Sequence, residues 1–294
     1  MVIFKETSDQ IFLAADLELN ISLQNTMVIL VMNTPKQRVE AFFFTNKGGV
    51  RKNNEDGLIV PGTLISDLSM EIPESYNGEV TNAIFCVADG IGGEEKGEVA
   101  SQIVLTHLRD HYSQITDEES FYSVVHAAKE NLESYVEKNP DAKNLGCTLA
   151  GVIIREDKAH VFNIGDCRVY RINGKFFERI TKDHSVVQHL LEEGVITEDE
   201  MRYHPRKNIV TSSISGDGIK NSIHIWFRTI NLRDQDQFFI CSDGIWECFS
   251  QDELEMILQK HPGYSFCEKI LIASLARQSS DNVTAIFLST NQSK

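Results

Sequence analysis

The sequence predicts an α+β layered domain in which antiparallel hairpins are combined with paired helices, and three observations carry that prediction. Apolar, strand-like runs stand in neighbouring pairs joined by turn chemistry, as at Arg171-Ile172-Asn173-Gly174-Lys175. Helical periodicity is confined to separate blocks of paired segments. Strands and helices do not alternate one for one, so the parallel sheet of a βαβ fold is not expected.

Residues 1–38 read as an N-terminal extension with at most one strand near 27–31. A strand follows at 41–45, then a turn-rich loop over 46–54 containing Gly48 and Gly49, and a second strand at 56–60. The stretch 61–78, rich in Gly, Pro and Ser, reads as a long hairpin connection. A short buried strand at 83–88 ends at Asp89-Gly90-Ile91-Gly92-Gly93. Val99, Ile103, Leu105 and Leu108 place one helix, and Phe121, Val124, Val125, Ala128, Leu132 and Val136 a second, which runs from about 118 to before Pro140. Strands are expected at 148–154, 158–164, 169–172 and 175–180, and a helical pattern over 184–203. A strand at 238–241 ends at Ser242-Asp243-Gly244, helices follow at 251–260 and 264–278, and 282–288 is the last strand.

Composition excludes several functions. The 294 residues carry 28 Lys+Arg against 43 Asp+Glu, a formal charge of −15. A nucleic-acid-binding face needs the opposite balance, because binding is driven by release of counterions from phosphates. The most apolar early stretch, 27–32, is far shorter than the roughly 20 residues of a membrane span. Glu6, Asp9, Asp16 and Glu18 stand where a signal peptide would be basic. Cys86, Cys147, Cys167, Cys241, Cys248 and Cys267 include no C-x-x-C pair, and several lie in apolar runs. They read as reduced, buried thiols, and the expected location is cytoplasmic.

The common motifs of covalent phosphate chemistry and nucleotide binding are missing: no Cys has an Arg six positions on, and no Walker loop, G-x-G-x-x-G or G-x-S-x-G occurs. His107 and His111 share a helix face without the Glu of a zinc-protease motif, and read as an exposed or partly packed pair. What recurs is an apolar strand running into an aspartate beside a glycine: Cys86-Val87-Ala88-Asp89-Gly90, Phe162-Asn163-Ile164-Gly165-Asp166 and Ile240-Cys241-Ser242-Asp243-Gly244. One such pair is an ordinary turn. Several that met at one rim, together with Glu55-Asp56 and Asp281-Asn282, would form a carboxylate ring that mutual repulsion forbids unless cations occupy it.

These residues stand within a larger set. Arg51 to Asp56, Val87-Ala88-Asp89-Gly90-Ile91-Gly92-Gly93, Gly97-Glu98-Val99-Ala100-Ser101, Leu145-Gly146-Cys147-Thr148, Asn163-Ile164-Gly165-Asp166-Cys167-Arg168, Thr181-Lys182-Asp183-His184-Ser185, Cys241-Ser242-Asp243-Gly244-Ile245-Trp246 and Asp281-Asn282-Val283-Thr284 appear in this order. The ordered set resembles the PP2C (PPM) family of metal-dependent serine/threonine protein phosphatases in its bacterial form.

The resemblance implies a four-layer α-β-β-α sandwich, two central antiparallel sheets flanked by helix pairs, over residues 39–290, with a flap at about 185–216. It implies two Mn²⁺ or Mg²⁺ ions held by Asp56, Asp89, the Gly90 carbonyl, Asp243 and Asp281, with Glu55 acting through water. These hard oxygen donors suit such cations, whereas zinc favours His or Cys. It further implies in-line attack by a metal-bridging hydroxide on phosphoserine or phosphothreonine, with Arg51 gripping phosphate oxygens through its planar fork. A third ion on Asp141 and Asp243 matches bacterial members by spacing, although Pro140-Asp141 reads equally as a post-helix turn. Expected partners are phosphorylated proteins made by a Ser/Thr kinase; the protein is expected to be a monomer, without nucleic acid or membrane.

Asp166 and Arg168 read as a structural strand-end pair, and His184 and Asp183 as structural, the Asp capping a helix. Three departures stand out: Ile91 replaces a His held to protonate the leaving alkoxide, Cys147 and Cys167 replace hydroxyl residues, and Ser213 stands near a frequent flap Arg. The alternative reading is a non-catalytic phosphoprotein-binding or sensor domain on the same scaffold.

Overall fold

The computed structural model describes residues 21–23, 28–30, 36–92, 96–142, 144–217 and 223–292. Two compact units divide the chain, 1–35 and 36–294. The first is described as an antiparallel hairpin, β1 (Ile21–Leu23) with β2 (Val28–Leu30), where the sequence indicates at most one strand; the rest of the predicted extension lies outside the described residues.

The second unit contains, in order, β3 (Gln37–Asn46), β4 (Gly57–Val60), β5 (Thr63–Ser66), β6 (Glu74–Val80), β7 (Asn82–Ile91), α1 (Gly97–His111), α2 (Glu118–Lys138), β8 (Gly146–Arg155), β9 (Lys158–Ile164), β10 (Arg168–Asn173), β11 (Phe176–Arg179), α3 (Val186–Glu192), α4 (Glu198–Met201), β12 (Ile214–Ser215), β13 (Trp226–Asn231), β14 (Gln237–Cys241), α5 (Asp243–Cys248), α6 (Gln251–Lys260), α7 (Tyr264–Ala276) and β15 (Val283–Gln292). Among the described residues they form two antiparallel sheets, ordered β11-β10-β14-β15-β3-β6 and β13-β9-β8-β7-β4-β5, with β12 added to β8. Helices α1 and α2 cover the second sheet, α6 and α7 the first, and β7 and β8 face β10, β14 and β15 across the middle. This is the predicted α-β-β-α sandwich.

Period-two alternation explains the middle layer. Along β7, Ala83, Phe85 and Val87 enter the core between the sheets, while Ile84, Cys86 and Ala88 pack under α1 and α2. On β8, Ala150, Val152 and Ile154 point inward, and Cys147, Leu149 and Ile153 point to the helices. Both faces are therefore apolar over most of their length, as a sheet covered on both sides requires. Continuing the same parity, Asp89 and its cross-strand partner Thr148 fall on the inter-sheet side at one end of the sandwich.

Several elements differ from the sequence reading. The region read as a hairpin connection, 61–78, contains β5 and β6. Both are edge strands with half-exposed, polar patterns, so no apolar run betrays them. β7 does not stop at Ala88 but carries Asp89 and Gly90 within its ladder to β8. The helical pattern at 184–203 is two short helices, α3 and α4. Asp183 caps neither; Ser185 caps α3 by accepting from the Gln188 backbone N–H. His107 and His111 stack at 4.1 Å, and Nδ1 of His107 lies 3.0 Å from Nδ2 of Asn131.

Candidate active site

Four chain segments meet at the end of the sandwich where Asp89 emerges. The loop after β3 brings Arg51, Glu55 and Asp56; β7 brings Asp89 and Gly90; the turns before α5 and β15 bring Asp243 and Asp281. Asn282 staples two of these together, its side-chain amide donating to the carbonyls of Lys47 and Asn53 while its Oδ1 accepts from the Glu55 N–H at 2.8 Å. Glu55 is fixed on its other side by the Ser101 hydroxyl, which donates to its carbonyl at 2.7 Å, and by the Gly97 N–H, which donates to its carboxylate.

Gly90 is where β7, the Glu55 loop and the start of α1 close on one another. A Cβ there would run into the carbonyl oxygens of Gly97 and Glu55, so only glycine permits the approach. Gly244 plays the same part against the Asn282 carbonyl and lets α5 begin directly beneath Asp281.

The result is a cavity of about 240 Å³ lined by Arg51, Glu55, Asp89, Gly90, Ile91, Gly92, Thr148, Asp166, Asn208, Val210, Asp243 and Asp281. Asp56 lies behind this surface, accepting a 2.8 Å hydrogen bond from the Ser242 hydroxyl. Burial raises its pKa to about 7, against the hydroxyls of Thr284 and Ser242, with the Asp281 charge adding to the rise. Asp89 and Asp243 stand well above the carboxylate range, first through burial and then through the other acids: Asp243, Asp56, Asp281 and Asp166 act on Asp89, and Asp281, Asp166, Glu247 and Asp56 on Asp243. The predicted carboxylates thus share one charged environment.

The donor set is made of carboxylates and the Gly90 carbonyl, all hard oxygens, with no His or reactive thiol among the lining residues. That chemistry fits Mg²⁺ or Mn²⁺. Among the described residues no three acidic, His or Cys side chains already close around a single point as a cage; the acids border a shared cavity instead. Arg51 supplies the local positive charge, donating from Nη2 to Asp281 at 2.6 Å and from Nε to the Ser280 carbonyl. Asp141 sits in an exposed turn after α2 and does not line the cavity.

Asp166 and Arg168 are not a pair. Arg168 is buried against Asp183, bonding it through Nε and Nη2 with the shortest contact at 2.6 Å, and stacks 3.8 Å over the Trp246 ring. Asp166 instead lines the cavity, while its backbone carbonyl accepts from the Trp246 indole at 2.9 Å. Burial raises its pKa to about 7, helped by Asp183 and opposed by Arg168. Cys167 meets the Thr148 hydroxyl at 3.3 Å behind this wall. Ile91 lines the cavity without a proton to give, and the segment 185–216, expected to be a flap, contributes Asn208 and Val210, not Ser213. Asn208 and Val210 escape sequence reasoning because no local pattern marks them, and Thr148, which that reasoning marks only within Leu145-Gly146-Cys147-Thr148, is placed on the cavity by the parity of β8.

A two-sheet sandwich with an oxygen-lined, acid-rich cavity at the sheet ends and one arginine on its wall corresponds to the metal-dependent phosphatases. The chain belongs to the protein phosphatase 2C family, whose model matches residues 75–279. The serine/threonine phosphatase stp of Listeria innocua is 26% identical over 261 residues, covering 86% of this chain and 96% of that protein. Protein phosphatase PhpP of Streptococcus pneumoniae is 27% identical over 260 residues, covering 86% and 98%. Among solved structures, the Mycobacterium tuberculosis serine/threonine phosphatase PstP/Ppp superposes with a TM-score of 0.71 at 26% identity, over 86% of this chain and 99% of that one. The catalytic domain of PstP in complex with two manganese ions has the same fold, with a TM-score of 0.69 at 24% identity over 87% of this chain and 99% of that one.

Proposed function

We propose that this chain is a protein phosphatase that hydrolyses phosphoserine and phosphothreonine in proteins with two divalent cations. The observation that carries the reading is the convergence of Asp56, Asp89, Asp243 and Asp281 on one electrostatically strained site that has Arg51 on its wall. A sensor domain that had lost catalysis would not need to keep such a set, because buried like charges cost stability unless a cation offsets them.

The residues that would hold the ions are Asp56, Asp89, the Gly90 carbonyl, Asp243 and Asp281, with Glu55 acting through water. When bound, divalent cations neutralise the phosphate and acidify a water for attack on phosphorus. The chain supplies the rest. Ser242 and Thr284 hold Asp56 from behind. Gly90 admits the close packing that aims β7 at the cavity. Arg51 has its Nε and Nη2 engaged by Ser280 and Asp281, which leaves Nη1 for a phosphate oxygen among the described residues. Asn208 and Val210 of the flap line the same cavity as Arg51. A third ion on Asp141 and Asp243 is supported by sequence spacing alone.

The catalytic domain on this reading is 39–290, with the flap at 185–216. Its substrates are products of protein serine/threonine kinases. All six cysteines are free, five of them buried, which supports a reducing cytoplasm; among the described residues no helix is long and apolar enough to cross a membrane. Hydrolysis of a phosphothreonine peptide, measured with Mn²⁺ and with chelator, tests the proposal: release of phosphate should require the metal, and equal rates in both conditions would refute it.

A further inference from the structure

The cavity takes a phosphate, but a protein substrate must also seat the residues on either side of its phosphorylated position. Net charge gives only a general bias: a formal charge of −15 disfavours acidic segments over the surface as a whole, and Arg51 is the cation on the cavity wall. Three exposed aliphatic side chains stand on the segments that border the cavity. Val50 is 63% exposed and precedes Arg51, Ile91 is 36% exposed and lines the cavity, and Ile209 is 47% exposed between the lining residues Asn208 and Val210. Single exposed aliphatics are ordinary, whereas several around one mouth mark a contact surface.

The flap part of this rim is held in place. The Val186 N–H donates to the Ile209 carbonyl at 2.9 Å, the Thr211 N–H donates to the His184 carbonyl at 2.8 Å, and Val210 forms a β-bridge with Ser185. Lys207 is ion-paired with Glu247 on α5, the helix that opens with Asp243. Ile209 is therefore presented to solvent on a fixed backbone, and a segment that covered it would lose little to ordering the enzyme.

We propose that Val50, Ile91, Ile209 and Val210 form a docking rim for an extended peptide in which aliphatic side chains flank the phosphorylated residue. The occupant is argued from continuity: Ile91 and Val210 line the cavity itself, and Ile209 stands exposed between two of its lining residues, so the residues that flank a phosphate held there come against aliphatic side chains. The inference rests on the phosphatase reading, and its test separates the two.

Three phosphothreonine peptides of equal length, flanked by Leu and Val, by Asp and Glu, or by Lys and Arg, should be compared with p-nitrophenyl phosphate in Mn²⁺. The aliphatic peptide should show a kcat/KM about tenfold above the acidic one, the scale on which small apolar contacts discriminate. Ile209→Ser and Val50→Ser, both at exposed positions, should shrink that preference through KM and leave hydrolysis of p-nitrophenyl phosphate unchanged. Equal kcat/KM for the three peptides, or a preference that survives both substitutions, overturns the proposal. A concentration-dependent dimer in sedimentation that Ile209→Ser abolishes assigns the rim to a second copy and also overturns it. Failure of the enzyme on every ester, p-nitrophenyl phosphate included, removes the phosphatase reading and this inference with it.

Discussion

Two buried charged clusters, one around Arg168 and one around Asp89, are built on opposite principles. Arg168 and Asp183 form a closed ion pair with the guanidinium stacked on the indole, so the positive and negative charges cancel within the protein. The acids around Asp56, Asp89 and Asp243 have no comparable buried partner among the described residues, and their carboxyls are pushed upward by burial and by one another. A protein keeps the first arrangement for architecture. The second is unstable by itself, and its persistence at the end of a well-packed sandwich points to a ligand that completes it.

Asp243→Asn should break this contrast most sharply. Metal-dependent hydrolysis should fall by about a thousandfold, roughly 4 kcal/mol of transition-state stabilisation. The melting temperature in chelator should stay level or rise, because a buried acid raised by its neighbours is gone; a marked fall would mean that the cluster is architectural after all. Arg168→Ala is the counterpart. It leaves the buried Asp183 with only the 3.4 Å contact from Arg179 Nη1 among the described residues, and should cost about 3 kcal/mol in denaturant unfolding. An unaffected midpoint would show that the ion pair contributes nothing.

The pH dependence of the metal-free protein sharpens the comparison further. Asp56 and Asp166 have folded-state pKa values of about 7 against 3.8 for a free aspartate side chain. Between those values the folded state binds more protons than the unfolded chain, so stability falls as pH rises from about 4 to about 7, and the part lost through these two groups is complete above that window. Saturating Mn²⁺ should restore about 2.7 kcal/mol at a hundred times its dissociation constant. Melting curves that do not respond to pH in chelator, or to Mn²⁺ at neutral pH, would contradict this. The smallest effect is expected from Ser242→Ala, which removes the hydroxyl that donates to Asp56 and should weaken Mn²⁺ affinity about tenfold, measured by calorimetry.

The legibility of the molecule follows the same division between local and tertiary signals. β3, β7, β8 and β15 were readable as buried apolar runs, and α6 and α7 from their period. The strands β5, β6 and β13 have exposed or half-exposed faces, and β12 has only two residues, so none is prominent in the sequence. Helix α5 was missed because its six residues follow directly on β14. Asp56, Asp89, Asp243 and Asp281 were findable because each stands beside a strand terminus and a small or polar neighbour. Asp166 was assigned to Arg168 on proximity in the chain, but Arg168 reaches across to Asp183 and leaves Asp166 facing the cavity. Asn208 and Val210 come to the mouth only through the fold of the flap.

The pairing of β15 with β3 along ten residues has a further consequence. These strands are neighbours at the centre of their sheet yet nearly the whole domain apart in sequence, and the turn before β15 delivers Asp281 and Asn282. On the ribosome, a nascent chain halted before residue 283 holds Asp56, Asp89 and Asp243 but has no central strand to close the sheet beside β3 and β14. Non-local pairing of this kind forms late and slowly. Catalytic competence should therefore arrive in a single step once β15 has been made, and a chain that still lacks this strand should have no activity to misdirect.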